Sequence, residues 1–220
     1  MNEAIGDLLP FAVGTALSPF PIIAIVLILA TPRAHVNGLA FMLGWICGLT
    51  ALGGLVLLVA GGADASDEGE PATWVSVVKL VLGALLLVFA ARQWRGRDEE
   101  KATPKWMQSL DQLTPVKAAG IAVLLSGVNP KNLVLTVGAA AAIAQTGIPA
   151  GEQAIAFAVF VVIGTLGVLV PLALSFGLGE RSKPLLDHLR SWMSDNNTVI
   201  MAVLFLIIGA KLLGDGISGL

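Results

Sequence analysis

Charge is scarce in this chain. Only 13% of its 220 residues are Asp, Glu, Lys or Arg, whereas a soluble domain carries about a quarter. Hydrophobic residues make up 56%, and the mean hydropathy is +0.85. A water-soluble globule is thereby excluded, and an all-α integral membrane protein is expected. The net charge of −2 excludes little, because the charges gather in a few loops. The single cysteine, Cys47, rules out an intramolecular disulfide and a cysteine-based metal cluster. It reads as a small apolar filler. Two histidines, His35 and His188, stand far apart and match no metal-ligand spacing. There is no Ser–His–Asp set and no phosphate loop, so neither an enzyme, a cofactor nor a nucleic-acid partner is expected. The N-terminus "MNEAIGDLLPF" lacks a basic n-region, and Pro10 interrupts its apolar run. It reads as the start of the first membrane helix rather than as a cleaved signal peptide.

What is present is long apolar runs. Six segments approach the roughly 20 residues that a span requires, near 4–30, 36–60, 74–92, 116–144, 152–178 and 197–217. The first and fourth exceed the length needed for a hydrocarbon core about 30 Å thick. Each contains a break, "LSPFP" in the first and "LSGVNP" in the fourth. The extra length suits two half-helices joined by unwound backbone.

Basic residues are absent from alternate loops. Arg33, Arg92, Arg95, Arg97, Lys101, Lys105, Lys117, Arg181, Lys183 and Arg190 fall on one side, and the 2–3 and 4–5 loops have none. The positive-inside rule then places both termini on the non-cytoplasmic side of a bacterial inner membrane. Two loop segments read as interfacial helices, or as solvated covers over the bundle. "TPKWMQSLDQL" carries Trp106, Met107, Leu110 and Leu113, and "SKPLLDHLRSWMSD" carries Leu185, Leu186, Leu189, Trp192 and Met193. The acidic stretch at 64–70 reads as an external loop.

The two halves resemble one another. Residues 1–92 and 116–220 each hold three spans, and 93–115 form a cytoplasmic linker. Gly44 and Gly48 in the second span correspond to Gly164 and Gly167 in the fifth. Gly83 in the third corresponds to Gly209 in the sixth. Three spans per copy make the second copy inverted. Inverted repeats with breaks at matching positions are a transporter signature, and the broken helices form the site. Simple proline kinks are the competing explanation.

Acids are missing at depth. Asp7 and Asp215 lie near the outer ends of the first and sixth spans, where Lys79 and Lys211 are their expected partners. Lys131, some 15 residues from either end of its segment, has no acid at its level. A lysine there costs about 2.5–3.5 kcal/mol on insertion scales and marks a functional site by default. Proline at 130 also frees a carbonyl four residues earlier, and Ser18, Ser126, Asn129 and Asn132 are candidates to satisfy the freed backbone. The expected substrate-binding set is Ser18, Pro19, Pro21, Ser126, Asn129, Pro130, Lys131 and Asn132, directed at an anion. A structural lysine held by hydrogen bonds is the alternative. Arg33 and His35, after Thr31-Pro32, stand at headgroup level on the cytoplasmic face, either touching lipid phosphate or merely anchoring the turn.

At "TPRAHVNGLAFMLGW", residues 31–45, and "NPKN", residues 129–132, the chain resembles a known family. This is the GAP family, the peptidoglycolipid-addressing or Sap-like proteins of actinobacteria, within the lysine-exporter (LysE) superfamily. The likeness runs over essentially the whole chain. The first motif is fairly specific, whereas "NPK" is shared across the superfamily. The sequence departs at His35, where the family more often has Arg, and in its long acidic 2–3 loop. The resemblance implies movement of a lipid or glycolipid out of the inner membrane, alone or beside a larger lipid-export machine. An amino-acid or small-solute exporter and a non-transporting scaffold are the alternatives. The extensive apolar flanks would suit a homodimer.

Overall fold

The computed structural model describes residues 1–62, 66–67, 70–71, 73–96 and 113–219. The described chain is helical apart from one two-residue antiparallel pairing, Ser66–Asp67 with Glu70–Pro71. This pairing falls within the acidic stretch expected to be a plain loop. The helices are α1 (Asn2–Ala16), α2 (Pro19–Leu29), α3 (Ala34–Gly62), α4 (Thr73–Arg95), α5 (Pro115–Val123), α6 (Pro130–Gln145), α7 (Ala150–Leu178), α8 (Lys183–Asp195) and α9 (Asn197–Ser218). Four stretches, containing α3, α4, α7 and α9, are long and apolar enough to cross a membrane. The count rises to six if α1 with α2, and α5 with α6, each form one bent span. The interfacial helix expected over Trp106, Met107 and Leu110 lies outside the described residues.

Both bends arise from an X-Pro step. A residue before proline is driven out of the helical region, and proline suits the first position of a helix, where no backbone donor is needed. Ser18 (ψ 114°) precedes Pro19, and Asn129 (ψ 121°) precedes Pro130. The chain bends by 46° between α1 and α2 and by 61° between the Pro115–Val128 segment and α6. The second break is the more elaborate. Leu124–Val128 forms a π-helical turn, in which the Asn129 amide donates to the Leu124 carbonyl at 3.0 Å.

Glycines set the packing. A Cβ on Gly44 of α3 would stand 2.3 Å from the Ala119 carbonyl oxygen of α5, and one on Gly167 of α7 would stand 2.0 Å from that of Ala16. The second glycines of these pairs behave alike, Gly48 meeting Ser126 and Gly164 meeting Thr15. So α3 closes on the segment before one break, and α7 on the segment before the other. Gly83 and Gly209 meet each other where α4 packs along α9.

The α8 helix lies against α2. Leu186 and Met193 are buried, and Met193 packs with Ile22 and Ile23 of α2. Leu185 and Trp192 point outward. The five apolar residues expected to share one face thus divide between the bundle and the surroundings.

Candidate functional site

The second break is held by its own side chains. The Asn129 side-chain oxygen accepts from the Lys131 amide at 3.1 Å. The Asn132 side-chain amide donates to the Leu125 carbonyl at 2.8 Å, and the Ser126 hydroxyl to the Val123 carbonyl at 3.2 Å. Three of the four polar residues expected to satisfy the breaks therefore do so. Ser18 does not. It caps no amide of α2, and its buried hydroxyl has no partner.

Lys131 sits in the first turn of α6 with its residue only 5% exposed. Its Nζ is buried and makes no hydrogen bond. The positive end of the helix dipole adds to the mismatch, since a cation is disfavoured there. Three further polar atoms on α6 are buried without partners, Asn132 Oδ1 and Thr136 Oγ1 near Lys131 in sequence and Gln145 Nε2 at the far end of the helix. Thr136 was not legible as a site residue. A lone threonine in an apolar helix usually returns its hydroxyl to its own backbone, as Thr15 and Thr165 do here.

The α1 helix packs antiparallel on α6, with Phe11 against Gly138 and Gly14 against Leu135. Three residues forward along α1 match three back along α6. Pro19 and Pro21 are buried beside Ser18 at the start of α2. Around the second break Leu124, Val128 and Pro130 are exposed at the bundle surface.

Arg33 and His35 stand elsewhere. They line a cleft of about 820 Å³ at the end of the bundle, between the Thr31–His35 turn and the α7–α8 connection. Glu180, Lys183 and Asp187 complete its charged rim. Arg33, His35 and the three rim residues are exposed, and the His35 ring stacks on Phe176 with centroids 4.3 Å apart. Much of the stretch 31–45 is structural. Asn37 is buried and donates to the Leu113 carbonyl at 3.0 Å, and the Trp45 indole donates to the Gly164 carbonyl at 3.3 Å. At the opposite end of the bundle, Lys211 holds Asp7 at 3.2 Å and Asp215 at 2.6 Å, and Lys79 stands 3.9 Å from Asp215. These are the pairings expected from depth, and Lys131 makes no ion pair among the described residues.

Residues 8–218 match the family described as Sap, sulfolipid-1-addressing protein. The chain belongs to that family. No curated protein and no solved structure matches it. Among the described residues of this Sap-family chain, no group of His, Cys, Asp and Glu could hold a metal ion.

Proposed function

We propose that this Sap-family protein moves a lipid with an anionic head, which meets Lys131 at the second break while its tails stay in the bilayer. One observation carries the reading: a buried lysine Nζ at a helix N-terminus with no partner of its own. A lysine kept only for structure would be held by carbonyls or a carboxylate. An oxyanion would satisfy the ammonium and the helix end together. The exposure of Leu124, Val128 and Pro130 at the bundle's outer surface favours an amphiphile reaching this site sideways. A small solute would need an enclosed path instead. The family's description, sulfolipid-1-addressing, points the same way.

The reciprocal glycine contacts support six spans arranged as two inverted repeats, exchanging the first span with the fourth, the second with the fifth and the third with the sixth. Rocking of one half on the other would then give alternating access. The charge distribution supports both termini on the non-cytoplasmic side. The tight seams at Phe11–Gly138 and Ala16–Gly167 favour a second reading, a scaffold for lipid export with no transport of its own.

Flux separates the two. Wild type, Lys131→Met and Lys131→Arg are reconstituted in vesicles containing headgroup-labelled phosphatidylglycerol, and movement between leaflets is followed. Movement in wild type that falls to the protein-free rate in Lys131→Met supports transport. Protein-free rates in all three leave the scaffold.

A further inference from the structure

We infer that the cleft between the Thr31–His35 turn and α8 is a second lipid site, selective for a zwitterionic head that carries a phosphate and a primary ammonium. Its size, about 820 Å³, lies within the range of ligand sites, roughly 300–1,000 Å³. Its walls change character with depth. Leu29 and Leu186 are buried and apolar, whereas Arg33 and Asp187 at the rim are exposed. That gradient suits the junction between an acyl chain and its head.

The charges select the head. Lys183 and Glu180 are bridged at 2.5 Å and neutralise each other. The side chains of Arg33 and Asp187 make no ion pair or hydrogen bond among the described residues. The cleft therefore offers one free guanidinium and one free carboxylate. A guanidinium fork matches a phosphate, and a carboxylate accepts from an ammonium. A wholly anionic head would meet Arg33 but also Asp187. A choline head carries no N–H to donate. The wall that supplies Asp187 is α8, whose Leu185 and Trp192 face outward at 51% and 49% exposure. Apolar and indole groups on an amphipathic helix belong at the bilayer interface, which puts the cleft at the level of lipid heads.

This site is distinct from Lys131, and the test keeps the two apart. The protein is exchanged into micelles doped equally with phosphatidylethanolamine, phosphatidylcholine and phosphatidylglycerol, and retained lipids are read by native mass spectrometry. Wild type is expected to favour phosphatidylethanolamine about fivefold, equivalent to about 1 kcal/mol and in keeping with a partly exposed pair. Asp187→Asn should abolish the preference over phosphatidylglycerol, and Arg33→Gln should lower retention of all three. Lys131→Met should leave the preference intact. Equal retention in wild type, an unchanged preference in Asp187→Asn, or its loss in Lys131→Met would overturn the site. Displacement by millimolar phosphoethanolamine would overturn its assignment to a lipid. No displacement is expected.

Discussion

A methyl group added at Gly83 would stand 2.9 Å from the Gly209 carbonyl oxygen, and one added at Gly209 would stand 3.1 Å from that of Gly83. Each glycine is thus the surface on which the other's backbone rests. Without a hydrophobic driving force between helices in lipid, such close backbone approach is what joins α4 to α9. Gly83→Ala and Gly209→Ala should each cost about 1–3 kcal/mol through overpacking. Unfolding in mixed detergent micelles measures this. Gly214→Ala on the same helix, where a Cβ meets nothing within 4 Å, should be close to neutral.

Gly167 makes the corresponding test at the first break. Its Cβ would fall 2.0 Å from the Ala16 carbonyl oxygen, which cannot rotate away. Gly167→Ala should push α7 off α1, lower stability by about 1–3 kcal/mol and reduce lipid retention. At Gly48 the obstructing atom is the Ser126 hydroxyl, a side chain. Gly48→Ala should therefore be partly rescued by Ser126→Ala, and a double-mutant cycle reads the coupling.

Much of this was legible beforehand. Proline fixes the backbone of its predecessor, so "SP" and "NP" announced both breaks. Charge and depth announced that Asp7 and Asp215 would meet Lys211 and Lys79. The π turn over Leu124–Val128 was not legible, because its sequence is that of an ordinary apolar helix. Nor was the idle hydroxyl of Ser18, since serine before a helix normally caps it. Amphipathic spacing announced α8 as a helix but could not say that Met193 would cover α2 and Leu186 join the main core while Trp192 turned outward. The charged rim at Glu180 and Asp187 depends on a fold that brings residue 33 to residue 187.

The Lys211 network should be unequal in its parts. Lys211→Met leaves Asp7 without its cation and Asp215 with only the longer contact to Lys79. A loss of about 1.5–3 kcal/mol is expected, the scale of a hydrogen bond to a charged group. Asp7→Asn should cost less, because Lys211 keeps Asp215 at 2.6 Å. Thermal unfolding of the two variants in one detergent compares them.

Asn132 and Lys131 are adjacent, yet their substitutions should act in opposite directions on stability. Asn132→Ala strands the Leu125 carbonyl, which now accepts at 2.8 Å, and should destabilise by about 1–3 kcal/mol. Lys131→Met removes a buried cation that no protein group satisfies. It should leave stability unchanged or raise it, as apolar replacement of buried charge often does. A marked fall in the melting temperature of Lys131→Met would indicate a lysine held for structure.

The central claim is that something negative comes to Lys131. Native mass spectrometry of the purified protein with its co-purifying lipids, wild type against Lys131→Met, tests it most directly. An anionic lipid retained by wild type and lost from the folded variant is the predicted result. The same anionic lipid held equally by both would contradict it.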